Sequence, residues 1–143
     1  MKILLTGATG YIGKRLLPNL VEQGHEVICC VRDIKKFNPP ESFKKRIEII
    51  QIDLLEKDSL DIIPKDIDGA YYLVHSMSAS TNYKILEQES ATNFRNALEK
   101  TNVNHVVYLS GIVNDSNLSK HLDSRKNVEV ELSKGDYNFT TLR

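Results

Sequence analysis

Three glycines, Gly7, Gly10 and Gly13, constrain the fold of this chain more than any other feature of its sequence. They follow the short apolar run at residues 3–5 and lead into a helical pattern that begins near Tyr11. A strand, a tight glycine turn and a helix in that order bring unpaired backbone N–H groups and the positive end of the helix dipole to one point. The segment therefore predicts a cradle for a phosphate group.

Each glycine has a predicted role in this cradle. Gly7 permits a sharp turn off the strand, Gly10 leaves the backbone N–H groups open to a pyrophosphate, and Gly13 lets the helix pack closely against the strand. The spacing is Gly-x-x-Gly-x-x-Gly rather than the commoner Gly-x-Gly-x-x-Gly, and the alternative is a plain glycine-rich turn between core elements. The position at the first strand–helix junction favours the cradle.

The composition is that of one globular domain with no strong charge. The chain has 143 residues, and its 19 basic and 19 acidic side chains cancel, so we expect neither a nucleic-acid nor a membrane partner. The N-terminal apolar run is too short for a signal peptide.

Cys29 and Cys30 are adjacent in a predicted strand and point to opposite faces, so we interpret them as reduced core residues of a cytoplasmic protein. A redox role is the alternative, and no metal site is predicted.

Hydrophobic periodicity predicts strands that alternate with helices along the whole chain. The predicted strands cover 2–6, 26–31, 47–52, 70–75, 105–110 and 138–142, and the predicted helices cover 11–23, 56–63, 83–101 and 121–134. This alternation is typical of an α/β fold with a Rossmann-type doubly wound parallel sheet and helices on both faces. Right-handed crossovers and the early glycine turn favour the strand order 3-2-1-4-5-6. The apolar face of the first helix is expected to contain Ile12, Leu16, Leu17, Leu20 and Val21.

The ends of the second and third strands predict how an adenosine would be recognised. A carboxylate at the end of the second strand accepts from a ribose 2′-hydroxyl, whereas an arginine there pairs with a 2′-phosphate. Val31 occupies the place of the acid and Arg32 follows at once, which favours NADP over NAD. Asp33 as a shifted acid, or Arg32 as a solvated surface charge, are the alternatives. Asp53 can reach an adenine amine, or cap a helix from residue 54 onward.

The sequence resembles short-chain dehydrogenases/reductases of the extended or atypical branch, close to the NmrA-like NAD(P)-binding proteins. The resemblance covers essentially the whole chain and rests on five stretches: TGATGYIG at 6–13, VRD at 31–33, DL at 53–54, YLVHSM at 72–77 and VYLSG at 107–111. The resemblance implies that the pyrophosphate binds at Gly7, Thr9, Gly10, Tyr11 and Ile12. It implies that the adenosine ribose phosphate binds at Arg32 and the adenine at Asp53 and Leu54. The nicotinamide ribose would lie near Val74, His75 and Ser76, and Ser110 would close the far side of the site.

The catalytic pair of this family, Tyr-x-x-x-Lys on the helix after strand five, is missing. His121 and Arg125 stand at the same spacing and would face the cleft together. A histidine can act as a general acid, and an arginine can hold ribose hydroxyls or a substrate anion. Ser110 is the nearest candidate for the family's catalytic hydroxyl. A surface histidine with a structural arginine is the alternative.

Two functions follow from these patterns. The first is an NADP-preferring oxidoreductase, or its cofactor-binding half, that transfers hydride to or from a small carbonyl or alcohol. The second is a non-catalytic NAD(P)-sensing or regulatory protein, and an RNA-binding relative is disfavoured by the zero net charge.

By resemblance, a substrate-binding part would follow residue 143, so we expect the chain to be part of a longer protein. The long helices after strands four and five could offer a homodimer face.

Overall fold

The computed structural model describes residues 1–75, 82–111 and 120–143, without the side chains of residues 120 and 121. Its strands are β1 (Lys2–Thr6), β2 (Glu26–Val31), β3 (Ile47–Gln51), β4 (Gly69–Tyr72), β5 (His105–Leu109) and β6 (Asn138–Leu142). Its α-helices are α1 (Tyr11–Glu22), α2 (Tyr83–Leu98) and α3 (Lys120–Leu132). The order of elements is the predicted alternation of strand and helix.

The six strands form one parallel sheet in the order β3-β2-β1-β4-β5-β6. This confirms the predicted Rossmann-type fold and strand order. From β1 the chain runs outward to β3 and then crosses back to place β4 on the other side of β1. A parallel sheet opens a crevice at such a reversal, beyond the carboxyl ends of the two strands.

The core lies on both faces of the sheet because successive strand side chains point in opposite directions. Ile3 and Leu5 of β1 pack with Leu17 of α1 on one face. Leu4, between them, joins a larger cluster that includes Phe94 of α2 and residues of α3 on the opposite face. The sheet is therefore covered by α1 on one side and by α2 and α3 on the other, as expected for strands that are apolar throughout.

The two cysteines follow the same alternation. Cys29 belongs to the cluster under α1 and Cys30 to the cluster under α2 and α3, and both are free and buried. Burial raises the pKa of the Cys29 thiol to about 12 and raises that of Cys30 as well. Both thiols therefore stay protonated at neutral pH, which suits core residues better than redox groups.

For six elements, the predicted end lies one to three residues beyond the end that the structure shows. The observed ends are Glu22 for α1, Gln51 for β3, Tyr72 for β4, Leu98 for α2, Leu109 for β5 and Leu132 for α3. The helix predicted over 56–63 is a short 3₁₀ helix, Lys57–Ile62, and the loop after Asp33 contains the 3₁₀ turns Ile34–Lys36 and Glu41–Phe43. The expectation for Ile12 is also wrong, since this side chain is 43% exposed because it lies at the open end of α1.

The early end of β4 has a specific cause at Thr6. The Thr6 hydroxyl donates to the Tyr71 carbonyl oxygen at 2.9 Å and accepts from the Leu73 N–H at 3.2 Å. A side chain thus replaces the strand-to-strand hydrogen bonds where β1 turns away at Gly7. Val74 and His75, predicted as strand, consequently follow β4 as irregular backbone at the carboxyl edge of the sheet.

No helix in the described parts of the chain is both long enough and apolar enough to cross a membrane.

Candidate functional site

A cleft of about 390 Å³ lies at the crevice between β1 and β4, beyond the carboxyl ends of the strands. It brings together eight residues that the sequence singled out: Gly7, Thr9, Gly10, Arg32, Asp53, Leu54, Val74 and His75. These residues come from four separate segments of the chain. The strand order brings the four segments together, because β1 to β4 all end at this edge.

The glycine turn at the floor of the cleft has the geometry expected of a phosphate cradle. Gly7 has a φ of +70°, and a Cβ there would lie 3.0 Å from the Leu73 carbonyl oxygen. Gly13 packs so closely that a Cβ would lie 2.2 Å from the Gly7 carbonyl oxygen. The turn is closed by the Gly10 N–H, which donates to the Gly7 carbonyl oxygen at 2.9 Å. Glycine is therefore needed at positions 7 and 13 for the turn itself.

The first turn of α1 offers hydrogen-bond donors that its own helix does not use. The first intrahelical bond runs from the Lys14 N–H to the Gly10 carbonyl oxygen at 3.0 Å, which leaves the N–H groups of residues 11–13 outside the helix ladder. Gly10, the N-cap residue, has no capping side chain, and the first turn contains no acidic residue. An anion at this helix end would therefore meet free donors and no competing carboxylate.

The second strand presents a cation, not an acid, to the cleft. Val31 is buried, and Arg32 is exposed along the cleft wall. Asp33 is used elsewhere, because its carboxylate accepts from the Lys35 N–H at 3.0 Å and lies 3.9 Å from the Lys36 ammonium. Asp33 thus begins the 3₁₀ turn after β2 and does not line the cleft. The geometry disfavours Asp33 as a shifted ribose-binding acid.

Asp53 and Leu54 line the cleft where β3 ends, on a segment held by side-chain hydrogen bonds. The Asp53 carboxylate accepts from the Leu55 N–H at 3.0 Å, so it closes a turn. The predicted helix cap is wrong in position, because the following 3₁₀ helix starts only after Glu56. The buried Asn93 side chain on α2 donates to the Leu54 carbonyl oxygen at 2.7 Å and anchors this wall of the cleft to α2.

His75 marks the other end of the cleft and is packed among groups from three elements. Its ring lies 6.1 Å from the Tyr108 ring of β5. Burial and the neighbouring Arg125 guanidinium hold the pKa of His75 below its usual value, while Glu87 and a hydrogen bond to the Leu109 backbone oppose that shift. The lowered pKa favours the neutral form of the His75 imidazole.

Behind His75, α2 and α3 are joined by buried polar groups. The Ser124 hydroxyl of α3 donates to the Glu87 carboxylate of α2, and both side chains are buried. The Tyr108 hydroxyl donates to the Arg125 carbonyl oxygen at 3.3 Å. Burial raises the pKa of Tyr108, so the phenol keeps its proton. Its hydrogen bond to Arg125 holds α3 against β5.

Those remaining predicted residues that the structure describes lie around the cleft, not in its wall. Tyr11 is 70% exposed at the start of α1, where the Arg15 guanidinium stacks 3.7 Å from its ring centre. Ser110 follows β5 and is buried, and Arg125 on α3 packs against Gly111. Ser76 and the side chain of His121 lie outside the described residues, although His121 is in the first turn of α3.

Several lining residues were not predicted as site residues from the sequence. Those beyond the predicted set are Thr6, Cys30, Val31, Ile52, Leu55, Leu73, Leu86 and Ser90. Leu86 and Ser90 are four residues apart on α2, so helical spacing on a predicted helix could have indicated that they share a face. Within the described residues, no group of three or more histidine, cysteine or acidic side chains could hold a metal ion.

A parallel sheet with a glycine turn, an uncapped helix and a cleft at the strand reversal defines a Rossmann-type dinucleotide-binding protein. The sequence model of the NAD(P)H-binding family matches residues 7–143. The chain therefore belongs to this NAD(P)H-binding family. This confirms the family-level resemblance. No dinucleotide is part of the structure, but the free donors at α1 and the glycine floor fit its pyrophosphate.

Known proteins resemble the chain over nearly its whole length. Divinyl chlorophyllide a 8-vinyl-reductase of Arabidopsis thaliana is 27% identical over 155 residues, which cover 98% of this chain and 37% of that protein. Citrobacter sp. triphenylmethane reductase complexed with NADP(H) superposes with a TM-score of 0.81 at 18% identity, over 99% of this chain and 48% of that one. The Bordetella bronchiseptica enzyme WbmG in complex with NAD superposes with a TM-score of 0.79 at 16% identity, over 100% of this chain and 52% of that one. The chain spans about half or less of each.

Proposed function

We propose that this chain is the cofactor-binding part of an NADP(H)-preferring oxidoreductase that transfers hydride to or from a small carbonyl or alcohol compound. The observation that carries the preference is Arg32, which lies exposed along the cleft wall while Asp33 is held in its own turn. A guanidinium at the end of the second strand pairs well with a 2′-phosphate, and no acid in the described cleft lining stands ready for a 2′-hydroxyl at that point.

The proposed dinucleotide runs along the cleft from β3 to β5. Asp53 and Leu54 would contact the adenine, and Arg32 the ribose phosphate. The glycine turn with Thr9, Tyr11 and Ile12 would bind the pyrophosphate. Val74, His75 and Ser76 would meet the nicotinamide ribose. This path uses the residues of the cleft wall in their order across the sheet.

The bound nicotinamide would supply the hydride, and the chain's own residues would position the substrate oxygen. Ser110 is buried beyond β5, with a hydroxyl that can donate a hydrogen bond. Arg125 can hold an oxygen by charge but cannot act as a base at neutral pH. His121, one helical turn before Arg125 on α3, is the proposed proton donor or acceptor.

A second function, a non-catalytic NAD(P) sensor or regulator, is favoured by one observation. The helix after β5 has His121 and Arg125 where related reductases have the Tyr-x-x-x-Lys pair that moves the proton. In a sensor the same cleft would bind the dinucleotide, and Ser110 and Arg125 would be structural. A homodimer through α2 and α3 is compatible with either function, since Ile85 and Val130 are exposed on these helices.

A fluorescence titration with NADPH and with NADH, at matched ionic strength, tests the proposal. We expect both reduced cofactors to bind, with NADPH at least tenfold tighter, because a single charge-assisted hydrogen bond contributes about 1.5–3 kcal/mol. Equal affinities would remove the assigned role of Arg32 in cofactor preference. Failure of both cofactors to bind would contradict the proposed function in either form.

A further inference from the structure

Ser110 has an unusual position among the buried polar groups of the described residues. Its side-chain oxygen is the one buried side-chain nitrogen or oxygen atom in that set without a hydrogen-bond partner, and the residue is only 7% exposed. The neighbouring Tyr108 hydroxyl lies close to Ser110 but donates to the Arg125 carbonyl oxygen, and the Ser110 side-chain oxygen is left unpaired. Leaving a buried hydroxyl unpaired is unfavourable, so such a group usually has a ligand or a water as its partner.

Arg125 is a half-buried cation beside this hydroxyl. A Cβ on Gly111, the residue after Ser110, would lie 2.7 Å from an Arg125 guanidinium nitrogen, so the guanidinium lies directly against this backbone. The guanidinium groups of Arg95 and Arg143 pair with glutamates at 2.7 Å. In the part of the chain that the structure describes, Arg125 has no such carboxylate partner.

Among the described residues, the titratable groups that face Arg125 do not pair with its charge. On β5 it faces the protonated Tyr108, and after β4 it acts on His75, whose pKa it lowers. Glu87 on α2, a buried acid, accepts a hydrogen bond from Ser124. A half-buried guanidinium beside an unpaired hydroxyl and a neutral imidazole is suited to a small oxyanion.

We propose that Arg125 and Ser110, which lie outside the cleft wall next to His75, form a subsite for a carboxylate of the substrate. The planar guanidinium would hold the two carboxylate oxygens, and the Ser110 hydroxyl would donate to one of them. This inference rests on the proposed function and narrows its substrate class to small carbonyl or alcohol compounds that contain a carboxylate. It also gives Arg125 a role that a lysine at this position would not perform as well.

Histidine NMR on the intact chain tests the subsite without any turnover. The pKa of His75 is measured in labelled protein with and without pyruvate, a carboxylate next to a carbonyl, at constant ionic strength. Pyruvamide, its neutral analogue, is the matched ligand control. We expect pyruvate to raise the pKa of His75 because it neutralises the Arg125 charge, and we expect pyruvamide to leave it unchanged.

Three variants make this result specific. Arg125→Gln should raise the pKa of His75 in the free protein and abolish the response to pyruvate. Ser110→Ala should weaken pyruvate binding several-fold and keep the response at saturation. Arg46→Gln, whose guanidinium donates to the Gly24 carbonyl oxygen at 2.9 Å away from the cleft, should respond like the wild type.

The outcomes separate this inference from the proposed function. If NADPH binds to the same sample but pyruvate does not change the pKa of His75, the carboxylate subsite is wrong and the cofactor site stands. A response that persists in Arg125→Gln also overturns the subsite. If NADPH does not bind, the proposed function fails, whatever pyruvate does.

Discussion

A Cβ atom on Gly13 would lie 2.2 Å from the carbonyl oxygen of Gly7, far inside van der Waals contact. The first turn of α1 is thus pressed against the turn that leaves β1. Because Gly7 and Gly10 line the cleft, the first turn of α1 and its unused N–H groups begin at the edge of the cleft. The spacing of the two glycines therefore determines the position of the proposed pyrophosphate site.

Replacing Gly13 by alanine should destabilise the fold. The added methyl group must push α1 away from backbone atoms that cannot rotate aside, and such overpacking costs about 1–3 kcal/mol or more. Urea denaturation followed by circular dichroism measures the loss. Gly69→Ala is the matched control, because a Cβ there meets only the His105 carbonyl oxygen at an ordinary 3.5 Å. Equal stability of the two variants would contradict the packing role of Gly13.

Arg32→Ala should reduce the affinity for NADPH by roughly 10- to 100-fold, as expected for the loss of a charge-assisted hydrogen bond, and should change NADH affinity little. Cofactor fluorescence titrations on both proteins measure the two ratios. Lys36→Ala removes a nearby exposed cation that lies next to Asp33 and serves as the control. Equal losses for NADPH and NADH would show that Arg32 does not read the 2′-phosphate.

Asn93→Ala should weaken the wall of the cleft at the end of β3. Its buried amide donates to the Leu54 carbonyl oxygen, and removing the donor leaves that oxygen unpaired at a cost of about 1–3 kcal/mol. We expect a lower urea midpoint and weaker NADPH binding. Asn96→Ala, an exposed asparagine on the same helix, should change neither. If the two variants behave alike, the Asn93 hydrogen bond does not support the site.

His75 should make the fold less stable in mild acid. Because its pKa is lower in the folded than in the unfolded state, the unfolded chain binds the proton first as the pH falls. The contribution of His75 is therefore fully present above the unfolded pKa of about 6.5 and is lost below it. Urea denaturation at pH 7.5 and at a pH well below 6.5 measures the free energy of unfolding at each pH. Between the two pH values, this free energy should decrease less for His75→Gln than for the wild type. Identical losses would mean that the imidazole environment is misassigned.

The sheet and the cradle could be predicted because they depend on local patterns. Apolar strands of the right length and the three glycines indicate the strand order and the strand–turn–helix junction, and the structure confirms both. Arg32 was found for the same reason, since it directly follows a predicted strand. Its role in cofactor preference stays a prediction.

The rest of the cleft depends on contacts between distant segments. Asn93 is an ordinary helical asparagine until β3 is known to end beside it. The end of β4 at Tyr72 depends on the Thr6 hydroxyl, 67 residues before Leu73, and no pattern in β4 itself reveals it. The unpaired Ser110 hydroxyl likewise appears only when β5 and α3 are seen together.

The most direct test of the central claim is a calorimetric titration of NADPH into the wild type and into Gly10→Asp. Gly10 has ordinary extended backbone angles and caps α1, so an aspartate there can cap the helix while its charge repels a pyrophosphate. Its Cβ would lie 3.2 Å from the Gly7 carbonyl oxygen, so the turn must shift by a few tenths of an ångström. We predict that NADPH binds to the wild type and that the variant shows no binding heat, although it stays folded with a slightly lower urea midpoint. Wild-type affinity in Gly10→Asp would contradict the assignment of the glycine turn as the cofactor cradle.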